Sequence, residues 1–420
     1  MKVEFAYGKK YLSLNIAGEQ TIDAIEIAPT PAGMQNEELV ANALQNPIGT
    51  KPINEIISSK AAKDAVIIVN DITRPTPNSL ILPPLLREIE NGGISADKIS
   101  LIVATGIHRG HTHDDNLAVF GEDICRKYNI ENHNCDGNLL SLGILSNGMD
   151  LVINRTVAEA DLLVTTGVVS LHYFAGYSGG RKSILPGIAA RQVIETNHKM
   201  MNDERAKLGN YKDNPVSHLM VEAARRVGVD FILNVVTDSN KKVTFCAAGD
   251  VYDAWLKAVE FCEMTNVVRI KDMADIVIAS CGGYPKDINM YQAQKALDAA
   301  VLAVKPGGTI ILLAECREGL GEETFQEWIE SASCPQDIIN RFHSQFELGG
   351  HKAFAICRIL DRAEIMLKSE LDPASVRNMY MTPFDDMDSA LETALRKHGR
   401  NARILLMPDA TKVAVKVTNK

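Results

Sequence analysis

The sequence has no C-x-x-C pair, no unbroken apolar run of about 18 residues and no excess of positive charge, and each absence removes a class of function. The eight cysteines (125, 135, 246, 262, 281, 316, 334 and 357) are scattered, so neither a zinc site nor a disulfide framework is expected, and each thiol is read as reduced and buried on its own. Without a long apolar run no transmembrane helix is expected. The opening Met1-Lys2-Val3-Glu4-Phe5 does not read as a signal peptide, which points to the cytoplasm and away from a membrane. A formal charge of −9 argues against nucleic acid as a partner.

What is present is ordinary globular composition. The chain has 420 residues, 46% hydrophobic and 23% charged, long enough for two or three domains with large cores.

Three continuous apolar runs dominate the first part of the chain, Ala65 to Val69, Ile99 to Val103 and Leu162 to Leu171. Such runs suit strands covered on both faces, hence a mainly parallel sheet. Each ends in a polar loop: Asn70-Asp71-Ile72-Thr73-Arg74-Pro75, Ala104-Thr105-Gly106-Ile107-His108-Arg109, and the stretch from His172 to Gly187. In open parallel sheets ligands bind outside the carboxyl ends of the strands. Asp71, Arg74, His108, His172 and Lys182 are therefore expected to converge. Before the first run, Val3, Phe5, Tyr7 and Leu12, Leu14, Ile16 alternate around Gly8-Lys9-Lys10 as a β-hairpin, and a short helix is expected over 37–44. A helix is predicted from near Pro83 to Ile89, closed by Gly92-Gly93.

The third loop is the most informative. His172-Tyr173-Phe174-Ala175-Gly176-Tyr177-Ser178-Gly179-Gly180-Arg181-Lys182-Ser183 sets three glycines beside two cations and a histidine. Glycines let backbone N–H groups approach an anion. A phosphate-binding loop is nearly reproduced over 176–183, but Arg181 stands where its second glycine is required. What survives is an anion site with a reactive amine, Lys182, as phosphate clamp, Schiff-base former or cofactor anchor. Ile184 is read as opening a helix. The segment Arg191 to Lys199 can bring His198 back to this loop. Tyr173, Phe174 and Tyr177 pack either on a cofactor or on the loop itself.

Beyond, a helix over 217–227, strands over 231–237 and 243–246, and a helix over 254–263 complete a first domain, residues 1–270. A smaller domain, residues 271–420, opens with the strand 274–280, the helix 290–304 and the strand 309–313. The expected fold is thus α/β: two α/β domains with mainly parallel sheets and the active site in the cleft between them. In the second domain Gln292 and Lys295 share a helix face, beside Tyr291.

Taken together, Asp71-Ile72-Thr73-Arg74-Pro75, Ala104 to Arg109, His172 to Lys182, Asn197-His198 and Tyr291-Gln292-Ala293-Gln294-Lys295 resemble the lactate racemase family, in the right order over nearly the whole chain. The resemblance implies a nickel-pincer nucleotide, pyridinium-3,5-bisthiocarboxylic acid mononucleotide, tethered at Lys182 and made by separate cofactor-synthesis proteins. It implies His198 as the protein's nickel ligand, His108 and His172 as opposed acid/bases, and cofactor contacts at Asp71, Thr105, Gly106, Gly179, Gly180 and Ser183. It implies substrate contacts at Arg74, Tyr291, Gln292 and Lys295.

The residue types suit that chemistry. A carbanion beside an ionised carboxylate is poorly stabilised, so a 2-hydroxy acid is better racemised through reversible hydride transfer and a planar 2-keto acid. Two bases are needed because the hydroxyl lies on different sides in the two enantiomers, and histidine titrates near working pH. Arg74 and Lys295 answer a carboxylate. Tyr291 favours a compact substrate such as lactate. Two other readings stand beside this one: a Schiff-base or phosphate-handling enzyme using Lys182, and a non-catalytic binding protein for a nucleotide cofactor. No role is assigned to His111, His113 or Phe354.

Overall fold

The computed structural model describes residues 2–16, 21–25, 36–74, 76–238 and 241–418. These form two compact units, one of residues 29–265 and one joining residues 1–28 to 266–420. Pro75 lies outside the described residues.

The unit of residues 29–265 is built on a six-stranded sheet in the order Val243–Gly249, Phe231–Thr237, Leu162–Val168, Ala65–Asn70, Ile99–Ala104, Asn129–Asn132. All neighbours run parallel except Val243–Gly249, which lies antiparallel to Phe231–Thr237. The three apolar runs are its central strands, buried on both faces, and Ile67, Leu101, Val164 and Leu233 share one core with the covering helices. From Ala65–Asn70 the chain first builds outward through Ile99–Ala104 and then returns to the other side as Leu162–Val168. That reversal leaves a crevice beyond the strand ends where connecting loops part.

The helix expected at Pro83 starts a turn earlier, at Asn78, and runs to Asn91 with Pro83 and Pro84 inside it. The two prolines forfeit two helix hydrogen bonds, about 1 kcal/mol each. Burial of Ile81, Leu82, Leu85, Leu86 and Ile89 outweighs that at roughly 1.5–3 kcal/mol per side chain. Ile184 does not open an α-helix: a 3-10 turn covers Gly180–Ser183 and the helix begins at Arg191.

The other unit carries a six-stranded parallel sheet in the order Thr382–Phe384, Glu364–Lys368, Val304–Leu313, Ala274–Ser280, Ile404–Met407, Ile22–Ala24. The N-terminal hairpin, Lys2–Tyr7 with Lys10–Asn15, forms as expected. It belongs, however, to this unit and not to a domain of residues 1–270. Phe5, Tyr7 and Leu14 join the core of Ile276, Ile278 and Ile311, and Ile22–Ala24 pairs with Ile404–Met407. The helix expected over 290–304 ends at Ala300. Phe354 stacks on Phe342 with centroids 3.9 Å apart, a packing role. None of the eight cysteines is in a disulfide, but not all are buried as expected: Cys125 and Cys246 are half-buried, and Cys334, at the start of the helix Pro335–Ser344, is exposed.

Candidate active site

The loop after Ala65–Asn70 turns back on itself through Arg74 N–H to Asp71 O, 3.0 Å. Asp71 is 4% exposed. Its Oδ2 lies 2.7 Å from His108 Nδ1, and its Oδ1 accepts from Thr73 Oγ1 at 2.6 Å. Burial alone raises a carboxyl pKa, but the hydrogen bonds from His108 and Thr73 and the positive charges of His108 and Arg74 outweigh it and hold Asp71 below the usual carboxylate range. Arg74 itself is exposed.

The loop after Ile99–Ala104 is fixed by Thr105, whose Oγ1 donates to His133 O at 2.9 Å, and by Gly106, whose N–H donates to Gly187 O at 3.0 Å. Gly106 sits at φ +56, a conformation glycine adopts without a Cβ penalty. His108 N–H then donates to Thr105 O at 2.9 Å. The ring emerges with 44% of its side chain exposed.

After Leu162–Val168 the chain makes a small hairpin, Leu171–His172 against Gly176–Tyr177. Gly176, at φ +78, passes so close to the Asn210 carbonyl that a Cβ would collide with it. The hairpin presents His172, whose Nδ1 accepts from Ala175 N–H at 3.2 Å and whose Nε2 lies 3.2 Å from Lys182 Nζ. A neutral imidazole accepting at Nδ1 carries its proton on Nε2. Lys182 must then accept that proton's hydrogen bond, which requires a free-base amine. Its pKa agrees: burial first, then the charges of Arg74 and Arg181, hold it well below that of an ordinary lysine. The Phe174 ring underlies this group, with centroids 4.7 Å from His172 and 5.0 Å from His198, and Lys182 Nζ 5.4 Å above it.

His198 stands on the helix Arg191–Lys199 with Nδ1 2.8 Å from Ile194 O. The carbonyl can only accept, so the proton is on Nδ1 and the lone pair on Nε2. Burial above all pushes its pKa down to about 4, so the ring is neutral at pH 7. That is the form in which imidazole binds a metal. Among the described residues no group of three His, Cys, Asp or Glu could hold a metal ion. A metal at His198 would therefore have to bring most of its donors with it, as a pincer-type cofactor does.

Arg181, which stands where a phosphate-binding loop needs its second glycine, is a strut. It is fully buried, its Nη2 donates to Ala175 O, Tyr177 O and Ser217 Oγ at 3.0–3.3 Å, and its guanidinium stacks on Trp255 at 3.8 Å. Nor does Gly180 offer its amide to a ligand, because Asn234 Oδ1 accepts it at 2.9 Å. A Cβ at Gly179 would crowd Val169 and Asn234, and Ser183 Oγ donates to Thr166 O at 3.1 Å. These residues set the path of the loop that carries Lys182. Asp71, Arg74, His108, His172, Lys182 and His198 are thus brought together. The contribution of Phe174 shows only in three dimensions.

In the other unit Tyr291, Gln292 and Lys295 occupy the first turns of the helix Met290–Ala300, capped by Asn289. Lys295 Nζ donates to Gln292 Oε1 at 2.6 Å, and the Tyr291 ring packs near Phe325 and His351.

Residues 7–209 match the model of the lactate racemase N-terminal domain and residues 269–415 that of the C-terminal domain. The chain belongs to the lactate racemase family. It is 39% identical to the lactate racemase of Thermoanaerobacterium thermosaccharolyticum and 36% identical to that of Lactiplantibacillus plantarum, each alignment covering 99% of both chains. The structure of the former's apoprotein superposes with a TM-score of 0.90 at 37% identity over 99% of this chain and 100% of that one. A Thermotoga maritima protein at 18% identity and a TM-score of 0.61, covering 89% of this chain and 100% of that one, shares the fold alone. Membership in the lactate racemase family makes the chain an isomerase of the racemase type. Among the described residues no helix is long and apolar enough to cross a membrane.

Proposed function

We propose that this chain racemises a 2-hydroxy acid, lactate before others, in the cytoplasm, with a nickel-pincer nucleotide held by Lys182 and His198. The observation that carries the reading is the complementary state of two imidazoles at separate strand ends. His108 Nδ1–H donates to Asp71 Oδ2, so the neutral ring presents a lone pair at Nε2. His172 accepts at Nδ1, so its neutral ring presents an N–H at Nε2. The two rings thus face the site with opposite hydrogen-bonding character.

When bound, the cofactor supplies a reversible acceptor for the hydride of the substrate Cα. The chain's own residues supply the proton traffic. His108 Nε2 takes the hydroxyl proton of one enantiomer, and Asp71 stabilises the imidazolium that results. His172, once it has taken up a second proton to become an imidazolium, returns the Nε2 proton to the oxygen on the opposite face; exchange with solvent resets both rings, and the roles exchange in the reverse direction. Arg74 and Lys295 neutralise the substrate carboxylate, Gln292 orients it, and Tyr291 limits its size. Lys182 serves as the tether because a free-base amine is the nucleophilic form. Thr105 and Gly106 line the cofactor and hold the His108 loop to Gly187, while Gly179, Gly180 and Ser183 shape the tether's loop.

The test uses protein made in a host supplied with the cofactor-synthesis proteins. Peptide mass spectrometry over 176–187, nickel analysis and a chiral lactate assay are read together. A nucleotide-sized sulfur-containing adduct on Lys182, nickel and interconversion of L- and D-lactate are expected. An unmodified lysine without nickel, where a relative is loaded under the same conditions, would reject the reading in favour of the Schiff-base or binding roles. Activity confined to long polyol acids would reject lactate alone.

A further inference from the structure

His111, left without a role by its sequence context, ties the two loops that carry Asp71 and His108. It is 8% exposed. Its Nε2 accepts from Ile72 N–H at 2.8 Å, which puts the ring proton on Nδ1, 3.0 Å from Asn116 Oδ1. Its main chain is clamped on both sides by one side chain: its N–H donates to Asn132 Oδ1 and its carbonyl accepts from Asn132 Nδ2, both at 2.9 Å. A Cβ at Gly110 would crowd that same asparagine. Asn132 ends the strand Asn129–Asn132, so His111 is anchored to the sheet.

Ile72, in contrast, is 44% exposed, and Thr73 and Arg74 are exposed too. The other ties along the loop are internal to it: Arg74 N–H to Asp71 O at 3.0 Å, Thr73 Oγ1 to Asp71 Oδ1 at 2.6 Å and Thr76 Oγ1 to Asn70 Oδ1 at 2.9 Å. The Ile72 amide shares a peptide plane with the carbonyl of Asp71. Fixing that plane constrains the Asp71 Cα from which the carboxylate reaches His108 at 2.7 Å, while Thr73 Oγ1 holds its other oxygen.

We propose that His111 is a positioning residue for the racemase reaction, a latch on the Ile72 amide that aims Asp71 at His108. The inference rests on the proposed function only in naming the reaction it serves. Three variants test it: His111→Leu loses both side-chain bonds, His111→Asn keeps a donor for Asn116 but does not reach Ile72, and His111→Gln places a carbonyl oxygen where Nε2 accepts. Racemisation by cofactor-loaded protein and hydrogen exchange at the Ile72 amide are measured for each. For Leu and Asn the expected loss is about 10–100-fold in kcat, the range typical of residues that orient a reacting group, with little change in KM. Ile72 exchange is expected to accelerate in the same variants, and Gln is expected to restore both readings. If the Leu variant fails to fold, the Asn variant carries the comparison. Parent-like kcat, a loss confined to KM, unchanged Ile72 exchange, or a folded Gln variant that does not recover would each overturn the latch. A parent chain that racemises no 2-hydroxy acid would refute the proposed function, and Ile72 exchange would still decide the latch.

Discussion

Asp71 Oδ2 and His108 Nδ1 stand 2.7 Å apart, with the carboxylate buried and the imidazole half exposed. The two residues come from loops after adjacent parallel strands, so the sheet itself sets their distance. The buried partner is the fixed one, and it decides which nitrogen of the exposed ring carries the proton.

Asp71→Asn keeps the shape of the side chain and removes its charge. Racemisation is expected to fall roughly 10²-fold in kcat, within the usual range for positioned acid–base groups. The sign with pH follows from the direction of the shift. A carboxyl held below its unfolded value stabilises the fold fully above about pH 4 and loses that contribution as acid titrates it. Asp71→Asn should therefore cost stability at neutral pH and flatten the acid limb of the stability curve. Chemical denaturation across pH checks this. An acid limb unchanged by the substitution would show that the carboxylate is not held as described.

Lys182 is expected to react as an amine at a pH where surface lysines do not. Only the unprotonated form is nucleophilic. An ordinary lysine titrates near pH 10.4, whereas burial and the neighbouring arginines depress Lys182 well below that. Trace labelling of the apoprotein with a small acylating reagent, read peptide by peptide against pH, should give Lys182 a midpoint well below that of the exposed lysines. A midpoint equal to theirs would mean an ammonium, and the hydrogen bond from His172 Nε2–H would be excluded.

The sequence exposes the strands at 65–69, 99–103 and 162–168 because continuous apolar runs end abruptly at loop residues. The meeting of their loops follows from parallel topology, which is why Asp71, His108, His172 and Lys182 were placed together from residue types and order alone. The strut role of Arg181 was not legible for a physical reason: its burial depends on Ser217 and Trp255, which pattern and spacing do not connect to it. The assignment of residues 1–28 failed likewise, because Ile22–Ala24 pairs with Ile404–Met407, and nothing local announces a partner at the other end of the chain. Pro83 misled because its local preference for a helix start yielded to the burial of Ile81 and Leu82.

Arg181→Met keeps much of the volume but removes the hydrogen bonds to Ala175 O, Tyr177 O and Ser217 Oγ. Leaving buried neutral acceptors without their donor costs about 1–3 kcal/mol, and urea denaturation should show a loss of that order. Arg181→Lys should recover little, since an ammonium lacks the planar fork that reaches three acceptors while stacking on Trp255. Full recovery by lysine would mean that charge alone holds the loop.

His108→Ala and His172→Ala test the two-base arrangement directly. Each enantiomer needs a proton removed on one face and one returned on the other, so neither imidazole can replace its partner. Each variant is expected to lose roughly 10²–10⁴-fold in kcat in both directions, L to D and D to L. The two rings do not carry the fold: His108 is half exposed, and the hairpin bearing His172 is anchored by Gly176 against Asn210 and by Arg181. Circular dichroism and melting should therefore stay close to the parent. Added imidazole should restore part of the rate to His108→Ala, where the lost ring leaves an open space beside Asp71. A near-parent rate in either variant would remove the opposed pair, and loss of one direction only would contradict the equilibrium that any racemase must obey.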